Sequence, residues 1–114
     1  MAKPFFRSNI PRSSTLNITV SSTGAKDAFT AVAVITLPNL KQTTFNNQQL
    51  RAGIALPLNA QGVYSGDLDL TFAQQSTARI QMEVVKPTGS RFVYDESVSA
   101  SSGLDRTNIL LVVN

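Results

Sequence analysis

Residues 63–86 read VYSGDLDLTFAQQSTARIQMEVVK, two runs of period-two alternation joined by a short polar link. In the first run Tyr64, Leu68, Leu70 and Phe72 fall on one side, opposite Asp67, Asp69 and Thr71. In the second Ala78, Ile80, Met82 and Val84 oppose Arg79, Gln81 and Glu83. Successive side chains of a β-strand point to opposite faces, so this spacing describes strands with one face buried and the other wetted.

The same pattern extends in both directions. In TLNITVSS, residues 15–22, Leu16, Ile18 and Val20 share a face; in QLRAGIALPL, residues 49–58, Leu50, Ala52, Ile54, Leu56 and Leu58 do so. AFTAVAVITLP (28–38) and NILLVVN (108–114) are apolar on both faces, a property of strands that lie centrally or are covered on both sides. SRFVYDESV (90–98) supplies one more. Seven strands result, near 14–22, 28–38, 49–58, 63–72, 77–86, 90–98 and 107–113. No window holds apolar residues at helical spacing for three turns, so little or no helix is expected.

The turn residues agree. Lys86-Pro87-Thr88-Gly89 suits a type I turn closing a hairpin, and Pro57 on the outward face of its run points to an edge strand. Seven short strands with such connections predict an all-β fold, a seven-stranded antiparallel β-sandwich that is immunoglobulin-like in broad architecture. It would span residues 14–114, behind an extended N-terminal arm over residues 1–13. Its core is expected to hold Leu16, Ile18, Val20, Ile54, Leu56, Leu68, Leu70, Ile80, Met82, Val84 and Ile109.

The 114-residue chain is long enough for one core. It contains no cysteine and no histidine. That removes disulfides, thiolate or imidazole zinc sites, and nucleophile–histidine catalysis. No glycine-rich phosphate loop follows a strand, so no cofactor and no metal is expected. Asp67 and Asp69 share one strand face and Asp95 adjoins Glu96. The reading favoured for them is a solvated face paired across strands with Arg79 or Arg91, ahead of calcium ligation or glycosidase chemistry. No enzymatic activity is expected.

Net charge is +3, with a pI near 9.7, and Lys3, Arg7, Arg12 and Lys26 lie in the first 26 residues without an acid among them. Basic residues are too few elsewhere, and stacking aromatics too scarce, for a dedicated nucleic-acid domain. No apolar run is long enough to span a membrane, and no signal peptide is recognisable, so synthesis in the cytoplasm is expected. The amide-rich KQTTFNNQQL, residues 41–50, could meet sugar hydroxyls. The chain has no Trp to stack on them, and an ordinary loop with Phe45 tucked into the core is the simpler reading.

The opening MAKPFFRSNIPRSS places Phe5, Phe6 and Ile10 among two prolines and three cations. Either this segment folds back as an edge strand or lid on its own domain, or it is an arm that docks on a neighbouring subunit. In the second case the partner-binding residues would be Lys3, Phe5, Phe6, Arg7, Ile10 and Arg12. A small sandwich of this composition with such an arm points to a non-catalytic structural or assembly protein. A bacteriophage virion component (capsid decoration, fibre or neck module) is the leading expectation, attaching through the arm and sheet edges to protein subunits. The alternative is a β-sandwich module that binds carbohydrate or a cell surface.

Overall fold

The computed structural model describes residues 2–114 and is all-β with one short helix. Among the described residues the strands are β1 (Phe5–Ile10), β2 (Ser14–Ser22), β3 (Phe29–Thr36), β4 (Gln42–Phe45), β5 (Ile54–Leu58), β6 (Gly62–Phe72), β7 (Ser76–Val85), β8 (Arg91–Ala100) and β9 (Gly103–Val113). Helix α1 (Asn47–Ala52) lies between β4 and β5. One sheet has the order β1-β9-β6-β3-β4 and the other β5-β2-β7-β8. They pack face to face over one continuous apolar cluster, a sandwich-like arrangement.

The two runs that decided the fold class behave as their alternation requires. Tyr64, Leu68, Leu70 and Phe72 of β6, and Ala78, Ile80, Met82 and Val84 of β7, are all buried. They come from different sheets, so each supplies one wall of the same core. Nine of the eleven expected core residues are buried; Ile54 and Leu56 are only half-buried, because β5 is an edge strand and its apolar face meets the rim. Pro57 is exposed on that edge, where its missing N–H costs nothing. The expected hairpin also forms: Gly89 N–H donates to the Lys86 carbonyl at 2.8 Å, and Gly89 takes φ +92°, a value that a β-carbon would penalise.

The expectation of seven antiparallel strands is corrected in three places. The segment read as an arm contributes β1, which runs parallel to β9 with Phe5 opposite Ile109 and Ile10 opposite Val113. The polar run at 39–48 contributes β4, four residues paired with β3, and Phe45 packs against the core. The run at 49–58 is a strand only from Ile54; before it, residues 47–52 are helical. The cause is a capping box, in which the Asn46 side chain accepts from Gln49 N–H at 2.9 Å while Gln49 Oε1 accepts from Asn46 N–H at 2.8 Å. Leu50 is thereby turned into the core, and α1 packs on β2 and β3, one strand from each sheet, closing that side of the molecule.

A close approach inside the five-stranded sheet makes one glycine obligatory. Gly66 of β6 lies opposite Ile35 of β3. A β-carbon there would sit 2.2 Å from the Val34 carbonyl oxygen and 2.9 Å from Ile35 Cα, both backbone atoms with no rotamer to yield. Gly66→Ala should therefore push β3 from β6 and cost about 1–3 kcal/mol, the usual range for overpacking. Urea denaturation would measure it, and an unchanged midpoint would show that the strands have room to part.

Candidate protein-binding surface

The six residues expected to bind a partner are divided by the geometry of β1. Phe5 and Ile10 face inward and are buried, Phe5 with its ring 5.4 Å from that of Tyr94 on the opposite sheet. They belong to the core of their own domain, which corrects the expectation that they would be presented to a neighbour. Lys3, Phe6, Arg7 and Arg12 are exposed. The separation follows from alternation along an edge strand, interrupted by a register shift between Arg7 and Ile10 where Asn9 adopts φ +56°.

The end of β1 is tied across to the four-stranded sheet. The Tyr94 hydroxyl donates to the Lys3 carbonyl, and burial pushes its pKa up to about 12, so it stays a donor well into the alkaline range. Arg7 stands 5.1 Å over the Phe92 ring, whose surroundings also hold the Lys86 ammonium at 4.0 Å. These contacts fix Arg7, the cation of β1, at the seam between the sheets.

The outer face of the five-stranded sheet carries an apolar surface. Phe6 is 52% exposed, Val63 47% and Leu110 37%. Phe6 lies opposite Leu110, and Val63 opposite Val112, so the four form adjoining cross-strand pairs on β1, β9 and β6. A shallow concavity beside them is lined by Phe6, Arg7, Ser8, Leu110 and Val112. The signal for this was present in the chain: 107–113 is apolar on both faces, and β9 is indeed central, yet only its inner face is covered. The same holds for β3, where Val32 is 38% exposed on the outside.

Most of the ionic groups on the strands are engaged with one another. Arg106 of β9 grips Asp69 with Nε at 2.8 Å and Nη2 at 2.9 Å, with Asp67 4.0 Å away. Arg79 and Arg91, the partners expected for that acidic pair, sit on the other sheet instead, where they bond Asp95 and Glu83. The Arg79 guanidinium holds the Asp95 carboxyl below its ordinary pKa, and the Asp69 and Asp67 carboxylates raise that of Arg106. Asp95 and Glu96 are neighbours on a strand and so point to opposite faces. No cluster of three or more potential metal ligands exists among the described residues.

The amides of residues 41–50 are also largely committed to structure. Asn46 and Gln49 cap α1, and Asn47 Oδ1 accepts from Ala31 N–H at 2.9 Å, holding the helix to β3. Arg51 at the helix end clasps Asp27 at 2.6 and 2.7 Å, and stacks 4.1 Å over Phe29. Among the described residues no helix is long and apolar enough to cross a membrane. No protein-family model matches the chain, no curated protein does, and no solved structure does.

Proposed function

We propose that this protein is a non-catalytic structural or assembly protein whose fold is an immunoglobulin-like sandwich in broad architecture, and that it serves as a bacteriophage virion component: a capsid decoration, fibre or neck module. The observation that carries the reading is the apolar outer face formed by Phe6, Val63, Leu110 and Val112, bordered by Arg7. Exposed apolar residues scattered singly are normal, whereas adjoining ones on a rigid sheet mark a protein contact. Burial of that face against a protein subunit supplies affinity, and Lys3, Arg7 and Arg12 favour approach to an acidic surface. The chain's want of histidine and cysteine, and its engaged carboxylates, accord with a binding rather than a chemical role.

The test compares the wild-type chain with Phe6→Ser/Leu110→Ser in sedimentation with virions of the phage that encodes it. The wild type should pellet with the particles and the double variant should stay in the supernatant. Both substitutions are on the outer face, so the two proteins should melt at nearly the same temperature. A wild-type chain that remains in the supernatant would overturn the reading.

A further inference from the structure

The four sheet edges differ in how they are protected against pairing. β4 is four residues long, β5 carries Pro57, and β1 is broken by a register shift and bounded by Pro4 and Pro11. Short length, proline and bulges are the ordinary means of blunting an edge. β8 has none of these and is guarded only by its charged residues Arg91, Asp95 and Glu96: its ten residues pair with β7 in unbroken register from Arg91 opposite Val85 to Ala100 opposite Ser76.

The free side of β8 can be located by residue. Lys86 N–H donates to the Ser90 carbonyl, so Lys86 and Ser90 form a hydrogen-bonded pair at the mouth of the hairpin. Such pairs alternate along an antiparallel ladder. Phe92 and Tyr94 therefore bond to β7, while the N–H and C=O groups of Arg91, Val93 and Asp95 point away from it. Among the described residues no other strand pairs with that side of β8. Val93 at the middle of this stretch is 62% exposed.

Residues 91–95 read Arg-Phe-Val-Tyr-Asp, a sequence complementary to itself when reversed. Laid antiparallel on a second copy with the two-fold axis at Val93, Arg91 stands opposite Asp95, Phe92 opposite Tyr94, and Val93 opposite Val93. The residues that meet in hydrogen-bonded pairs are then the ones whose backbone groups point outward. The outer face carries two opposite-charge pairs around a valine pair, each extending the ion pairs that Arg91 makes with Glu83 and Asp95 with Arg79 on β7, and the inner face two aromatic pairs, arrangements favourable across strands. Shifting the axis to Asp95 would instead set two carboxylates face to face. Glu96, on the inner face beyond this stretch, discourages pairing farther along the strand.

We infer that the Arg91–Asp95 edge of β8 is a self-association site, and that its partner is a second copy of this chain, paired antiparallel to give an eight-stranded sheet across a two-fold axis. The inference rests on the assembly reading above and names one partner within it. Lys3, Phe6 and Arg7, which form the opposite wall of the groove beside Val93 and Asp95, flank the joined strands.

Size-exclusion chromatography with light scattering is the first measurement. The mass should rise with concentration from 12.3 kDa toward twice that value; a mass fixed at the monomer value overturns the inference. Val93→Pro removes an N–H that β7 does not use, so it should keep the wild-type circular dichroism and remain monomeric, and a dimer in that variant is an adverse result.

Charge variants report the register. Arg91→Asp and Asp95→Arg each place two like-charged pairs at the axis and should weaken self-association by about tenfold. Mixed together they restore both opposite-charge pairs and should associate as the wild type does. A mixture that stays monomeric contradicts the proposed pairing. Sedimentation with virions is followed for Phe6→Ser/Leu110→Ser and self-association for Val93→Pro, so a loss in one assay without the other tells failure of this inference from failure of the assembly reading.

Discussion

A chain lacking residues 1–13 is expected to lose its fold, whatever the segment also contacts in an assembly. Phe5 and Ile10 are 2% and 0% exposed. Removing a buried Phe costs about 3–5 kcal/mol and a buried Ile about 2–5. Deletion of β1 also strips β9 of its parallel neighbour and leaves Ile109 and Leu111 at a raw edge. Those losses together approach the whole stability of a small domain, about 5–15 kcal/mol. Circular dichroism should show no cooperative melt. Two single substitutions give the sharper comparison: Phe5→Ala should cost about 3–5 kcal/mol while Phe6→Ala, on the outer face, costs less than about 0.5. Equal effects at the two positions would mean that β1 does not sit in the register described.

The second large effect is expected from the two walls of the core. Leu70 of β6 and Ile80 of β7 are both 0% exposed and belong to the same apolar cluster. Leu70→Ala or Ile80→Ala should each destabilise by about 2–5 kcal/mol, the transfer free energy of the deleted methyl groups plus that of the cavity left behind. Asp69 is adjacent to Leu70 but on the wet face, bonded to Arg106. Asp69→Asn should lower stability, read from the denaturation midpoint, far less than either core change, by about 1 kcal/mol at most, because the Arg106 side of this half-buried ion pair stays in water. Should the Asp69 change prove the more damaging, the inward and outward faces of β6 would be interchanged, as a one-residue slip requires.

Both expectations use the same property of strands, and it is why so much of the fold is legible in the chain. Period-two alternation located β2, β6, β7 and β8 and assigned their faces, since a side chain's face in a strand depends only on its parity. Turn chemistry located the Lys86–Ser90 hairpin and the exposed edge at Pro57. Helix α1 was also recoverable: Asn46 and Gln49 stand at capping-box spacing, but the apolar residues around them matched a strand template as well, and six residues are too few for a helical period to declare itself. Strand β4 carried no such signal, being short and polar, and forms because β3 offers it a free edge.

The candidate surface shows the same division. Phe5, Phe6 and Ile10 stand out in the sequence as apolar residues on a basic, proline-broken segment, yet nothing local says which of them is wetted. That depended on β1 finding β9, a parallel pairing across about a hundred residues of chain. The pairing turned Phe5 and Ile10 into the core and left Phe6 beside Leu110. In the same way, the doubly apolar character of 107–113 announced a central strand and did not reveal that one of its faces would meet solvent. Features that are periodic or local are therefore written in the chain: an all-β composition, the inward residues of the long strands, the tight turn, and the lack of side chains for histidine or thiol chemistry. Tertiary structure alone decided which strands became edges, which apolar faces stayed uncovered, and which cations met which carboxylates, because each of these is settled by partners distant in the chain.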